Sequence, residues 1–245
     1  EVNISNFVYP TGQSEKKGAF DFADSLGQYI KDQFKDRPLS KEDKISLVCH
    51  SQGGVISYIW FISHIFKQDS DFEYVQHLDS IITLGTPFWG SKLASILTDK
   101  RNPDIIPFIK LFAPPEFQMT RHEIADMAFG SDTVNMFRNL AVELDSDEKL
   151  SQILENLPVR LINVSGLLPE DKSKIFVDPK NTKLNGFTTK IVNSIYSLFQ
   201  KKGFGGKRVE SDIAVIVPSS RWNFIYSTPQ KITSNKTIES SEFKH

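Results

Sequence analysis

Apolar positions along the chain follow two periods, and the change from one to the other predicts its elements. Val2 to Tyr9 (VNISNFVY) is a short β-branched and aromatic run closed by Pro10-Thr11-Gly12, which reads as a strand. Phe20, Ala23, Leu26, Ile30 and Phe34 recur at helical spacing, predicting an amphipathic helix over Phe20 to Phe34. Ile45 to Cys49 is apolar except for Ser46, as expected of a buried strand. Gly53 to Phe66 is apolar on nearly every face, as expected of a helix covered all round. Further strands are expected at Leu78 to Leu84, at Val159 to Val164 and at Ala214 to Val217. Strands alternating with helices, several of them continuously apolar, imply a mainly parallel sheet with helices on both faces.

The rhythm breaks between about residues 88 and 156. Pro103, Pro107, Pro114 and Pro115 interrupt helical pieces at Ile105–Phe112 and Asp132–Leu144, so this stretch reads as a helical insertion over the sheet's carboxyl edge. Lys201 to Gly206 (KKGFGG) is rich in glycine but lacks the Gly-Lys-Ser/Thr ending that cradles phosphate, so it reads as a surface turn.

Composition narrows the picture only at its margins. The 245 residues suit one large domain, and a net charge of −1 gives no electrostatic reason to expect nucleic acid. The single cysteine, Cys49, excludes an internal disulfide. Val55 to Phe66, the most apolar run, has about half the ~20 residues of a membrane-spanning helix. The chain opens on Glu1 inside a strand approach, which suggests a fragment of a longer polypeptide and leaves its compartment open.

The chemistry is concentrated in KISLVCHSQGGVISYIW, Lys44 to Trp60, where an apolar strand stops at a serine and restarts as an apolar helix. A serine at the apex of a tight strand-to-helix turn is a nucleophile elbow, normally G-x-S-x-G. Small residues are needed two positions before and after the serine because the turn is crowded. Here Gly53 satisfies the second and Cys49 replaces the first. The helix turns its positive end toward the serine, and the Gln52 main-chain N–H is the expected oxyanion donor. A serine that merely caps the helix is the plainer alternative, but a cap requires neither the strand before nor the apolar helix after.

VCHSQGG, Val48 to Gly54, resembles the V-x-H-S-x-G-G of α/β-hydrolase lipases. Three later segments extend the likeness in order: LGTPFWGS (Leu84–Ser91), AFGSDTVNMFRNL (Ala128–Leu140) and ESDIAVIVPSS (Glu210–Ser220). The likeness is to the bacterial triacylglycerol lipases and to the inositol-deacylase-like and lecithin–cholesterol-acyltransferase-like lipases. The resemblance implies an α/β-hydrolase domain whose first strands, and with them the second oxyanion donor, lie upstream of Glu1.

In that fold the order along the chain is nucleophile, acid, histidine. His50, His64, His77 and His122 all precede the expected acids, which leaves His245, the last residue, as the base. His50 adjoins the serine and should face away; His64 reads as a core histidine; His77 and His122 read as surface or insertion residues. Asp212 matches the Ser-Asp-Gly run of the resemblance, although Ile213 and Ala214 depart from it. Asp171, after the Val159–Val164 strand, is the second choice of acid. Either would orient the imidazole and stabilise its cation.

Ser51, Asp212 and His245 together imply acyl transfer from a carboxylic ester without any cofactor or metal. Phe88, Trp89 and the apolar side chains of the insertion are expected to contact a lipid-like or otherwise hydrophobic substrate, with peripheral contact to a lipid surface. Two alternatives stand beside hydrolysis: transfer of the acyl group to an alcohol, and an inactive α/β-hydrolase fold kept as a binding or scaffold module.

Overall fold

The computed structural model describes residues 2–9, 17–99, 120–167, 217–220 and 232–239. Their centre is a sheet of four strands, β1 (Ile45–His50), β2 (Leu78–Leu84), β3 (Arg160–Leu167) and β4 (Ile232–Glu239), in the spatial order β1-β2-β3-β4. Every neighbouring pair is parallel, with Cys49 opposite Thr83 and Leu84 opposite Val164. Parallel neighbours require a crossover connection, and helices supply it after β1 and after β2. They are α1 (Ala19–Phe34), α2 (Gln52–Lys67), α3 (Phe72–Gln76), α4 (Lys92–Thr98), α5 (Arg121–Asp126), α6 (Asp132–Ser146) and α7 (Glu148–Asn156).

α2 is the helix around which the core forms. Val55, Ile56, Tyr58, Ile59, Trp60, Phe61, Ile62 and Ile65 are all buried, as the absence of a polar face predicts. α1 packs along it through Phe22, Ala23, Leu26 and Ile30. The approach is close at Gly27, where a Cβ would stand 2.9 Å from Trp60 Nε1. α6 and α7 add Phe137, Ala141, Leu144, Leu150 and Leu154 to the same core. A buried polar knot ties three elements together: Asn163 Oδ1 accepts from Thr83 Oγ1 at 2.8 Å and from Tyr58 Oη at 3.4 Å. The tyrosine's hydroxyl is thereby satisfied inside an apolar interior.

Three sequence expectations need amendment. Residues 2–9 form no strand; Val2, Ile4 and Val8 are exposed, while Phe7 and Tyr9 lie on α1 with ring centroids 5.3 Å from Tyr29 and 4.9 Å from Phe22. Among the described residues the segment has no ladder partner, and aromatic packing joins it to α1. β1 alternates in exposure where a continuously buried run was expected, and Val48 is 69% exposed. Of the strand expected over Ala214 to Val217, only Val217 is described, and it opens a 3₁₀ turn, Val217–Ser220. The insertion piece Ile105–Phe112 and the KKGFGG turn lie outside the described residues.

At the far end of α2, His64 is the satisfied core histidine the sequence suggests. Its Nδ1 stands 2.8 Å from Asp69 Oδ1 and its Nε2 3.8 Å from Asp71 Oδ2. Lys31 Nζ of α1 is 2.7 Å from Asp71 Oδ1, so this His–Asp–Asp grouping already carries its own cation. Burial alone would raise the Asp69 carboxyl, but the bond from His64 and the Asp71 N–H together hold it below its usual value. A carboxylate with a depressed folded pKa contributes stability above its unfolded pKa of about 3.9 and loses it as pH falls through the folded value. Asp69→Asn is therefore expected to lower Tm at pH 7, with the deficit against wild type closing as both are titrated toward about pH 3. A deficit that stays constant across that range would show that the Asp69 charge is not involved.

Candidate active site

β1 ends at His50, and Ser51 turns the chain into α2 with φ 51° and ψ −126°. A non-glycine residue in this region pays backbone strain of about 1–3 kcal/mol, which persists only where the surroundings enforce it. Two main-chain bonds do so. Ser51 N donates to Leu84 O at 2.9 Å, pinning the turn to the end of β2, and Gly54 N donates to Ser51 O at 3.1 Å. Ser51 is half-buried, and its hydroxyl makes no hydrogen bond among the described residues.

The crowding expected around the serine is present, but one residue later than the motif suggests. A Cβ on Gly53 would meet nothing within 4 Å. On Gly54 it would stand 2.0 Å from Thr86 Oγ1 and 2.9 Å from Thr86 Cβ. The obligatory glycine is thus Gly54, which lets α2 pass against the turn after β2. Cys49 is accommodated from the other side: its Sγ lies 3.0 Å from Ser57 Oγ, which donates to Gly53 O at 2.9 Å. Burial raises the Cys49 thiol pKa, opposed by the Ser57 bond, so the cysteine stays protonated and is no rival nucleophile.

Gln52 opens α2. Its main-chain N–H is among the four that a helix leaves without an internal acceptor, and it sits at the positive end of a 16-residue helix. Behind the turn, Tyr9 is raised to about 12 by burial first and by Glu123 and Cys49 next, which keeps its phenol neutral.

The segment Leu84–Ser91 is the hub of the site. It receives the Ser51 N–H at Leu84 and seats Gly54 against Thr86. Its end pairs with the third motif, where Ser91 bridges to Ala128 and Ser91 N donates to Met127 O. It also holds the fourth motif. Ser219 Oγ donates to Gly90 O at 2.5 Å, Trp89 N to Ser219 O at 3.4 Å, and Ser220 Oγ lies 2.5 Å from Ser165 Oγ of β3. The described residues of the four segments that carry the sequence resemblance, Val217–Ser220 alone from the fourth, therefore meet at one end of the sheet.

The expected site residues fare differently. Ser51 and Gln52 are together at the turn. Phe88 is fully buried between Tyr58 and Phe137, and Trp89 packs on Phe137 with 7% exposure, so both are joined to the core. Asp212, Asp171 and His245 lie outside the described residues. Of the other histidines, His50 is exposed, His77 is half-buried with Nδ1 3.0 Å from Asp43 O, and His122 is exposed with Nε2 4.0 Å from Asp126. None of these bonds to Ser51. Thr86 and Ser57 were missed as determinants of the turn. Thr86 stood in a recognised motif, whereas nothing in the sequence marked Ser57.

A parallel sheet whose strand–serine–helix turn sits at its carboxyl end, framed by these loops, is an α/β-hydrolase fold. Solved structures agree. The mature Bacillus licheniformis lipase BlEst2 superposes with a TM-score of 0.51 at 17% identity, over 91% of this chain and 67% of its own. The phospholipase PlaB from Legionella pneumophila superposes with a TM-score of 0.53 at 18% identity, over 87% of this chain but only 36% of its own. Residues 12–102, less than half of the chain, match the family described as "Putative serine esterase (DUF676)". No curated protein matches the sequence.

Proposed function

We propose that the protein is a serine carboxylic-ester hydrolase acting on lipid-like esters. The observation that carries this reading is the strained backbone of Ser51, φ 51° and ψ −126°, at the tip of β1. A capping serine has ordinary extended dihedrals, as Ser131 does with φ −63° and ψ 157°, and it accepts a helix N–H. Ser51 does neither. Strain at a half-buried serine, with its hydroxyl unbonded among the described residues, is what presentation of a nucleophile requires.

In this reading Ser51 Oγ attacks the acyl carbon as His245 takes its proton, and Asp212 orients the imidazole and stabilises its charge. The imidazolium then protonates the departing alcohol oxygen, and water, deprotonated by the same base, releases the acid. The anchoring of Ser219 and Ser220, seven and eight residues on from Asp212, to Gly90 and Ser165 supports Asp212 over Asp171. The hydrophobic substrate class is supported by the lipase and phospholipase among the folds it resembles.

A fluorophosphonate probe tests the reading directly. Covalent labelling is expected on Ser51, blocked by a hydrophobic ester and absent from Ser51→Ala. A folded protein that takes no label would instead be the scaffold module.

A further inference from the structure

α1 and α6 both pack on α2 and leave between them a groove of about 470 Å³, floored by α2. Small side chains keep it open: Ala23 stands on α1 and Ser63 on α2, where larger residues would fill the gap. The volume lies in the range that takes a small organic molecule. The α2 residues of the lining begin at Ile59, about 12 Å along the helix from Ser51, so the groove is distinct from the candidate active site.

The lining sets the chemistry of the occupant. Phe20 and Leu140 are half-buried and Met136 is 52% exposed, so apolar surface is left in water along both walls. Covering it favours any apolar body of the right size, and the charges choose among such bodies. Asp24 of α1 and Glu143 of α6 are exposed, and neither carboxylate has a hydrogen bond or ion pair among the described residues. Lys67 is the only cation among the described residues of the lining, and its charge falls on Asp69, whose carboxyl it helps to hold down. Lys31 of α1 is bound to Asp71. Each wall therefore offers one unpaired carboxylate, and a cation placed in the groove gains from both.

We propose that this groove is a second binding site, for an organic cation with an apolar body such as an arylalkylammonium. The body lies on Phe20, Leu140 and Met136, and the ammonium group turns to Asp24 and Glu143. A neutral molecule of the same shape keeps the apolar contact and loses the attraction, while an anion meets repulsion from both walls. The site stands whether or not Ser51 is the nucleophile.

An NMR chemical-shift titration of the whole protein at low salt, where screening is weak, compares three probes of one shape: phenethylammonium, 2-phenylethanol and phenylacetate. The ammonium is expected to bind with a Kd of about 1 mM, roughly five- to tenfold tighter than the alcohol, and phenylacetate most weakly of the three. Asp24→Asn and Glu143→Gln should each weaken the ammonium by about two- to fivefold and leave the alcohol unchanged. Asn139→Phe, at an exposed position of the lining, puts a ring into the groove. It should abolish binding of ammonium and alcohol alike while Tm stays within about 2 °C of wild type. Equal affinity for the ammonium and the alcohol, or a preference that survives the double variant, would overturn the cation assignment. Binding that Asn139→Phe leaves intact, or no binding of the ammonium up to about 10 mM, would overturn the site itself. None of these readouts involves turnover, so a failure here is distinct from a failure of Ser51 to react.

Discussion

Ser51→Ala is expected to lose turnover by roughly 10⁶ on hydrophobic esters while remaining folded. The size of the effect follows from the chemistry: without Oγ there is no acyl-enzyme, and what remains is whatever a positioned water achieves at the same donors. The fold should be insensitive, because the hydroxyl makes no hydrogen bond among the described residues and alanine bears the same backbone strain as serine. The measurement is kcat on a short and a long acyl ester, with Tm recorded on the same samples. Retention of more than about a tenth of wild-type kcat would place the nucleophile elsewhere.

The second large effect separates two adjacent glycines. Gly54→Ala places a methyl group 2.0 Å from Thr86 Oγ1 and 2.7 Å from Thr86 Cγ2, contacts that cannot exist without movement. Overpacking of this kind costs about 1–3 kcal/mol. The strain falls between α2 and the loop after β2, the two elements that fix Ser51. Gly54→Ala should therefore lower Tm by several degrees and impair labelling of Ser51 as well. Gly53→Ala meets nothing within 4 Å and removes a poor helix former from the first turn, so it should be neutral or stabilising by up to about 1 kcal/mol. Thermal melts of the two variants side by side decide the matter, and equal losses would mean that Thr86 yields freely.

That pair also shows how the sequence reading succeeded and where it stopped. Leu78–Leu84 was predicted to the residue and the helix after Ser51 to within one at each end, because continuous apolar runs between turn residues leave little choice. The serine's place at the end of a strand was equally legible. Which of Gly53 and Gly54 faces the neighbouring turn depends on how α2 is rotated about its axis, and the approach of Thr86 from 32 residues away sets that. Residues 2–9 looked like a strand because they have the composition of one, but a strand needs a partner for its backbone, which no composition supplies. The converse error is β4. ITSNKTIE has few apolar residues, yet its backbone pairs in register with β3 from Leu161–Ile232 to Leu167–Glu239. Gln52 was singled out for its N–H alone; that its carboxamide is buried without a partner among the described residues is a property of the folded interior.

The outer border of β1 bears on substrate choice. The strand stands at the end of the described sheet order, presents Val48 to solvent, and leads straight to the reactive turn. Among the described residues no strand pairs with β1 on that side, and a strand border of this kind accepts a further strand by backbone pairing. A strand laid along that border would end beside Ser51, and its side chains would help to decide which esters reach the turn.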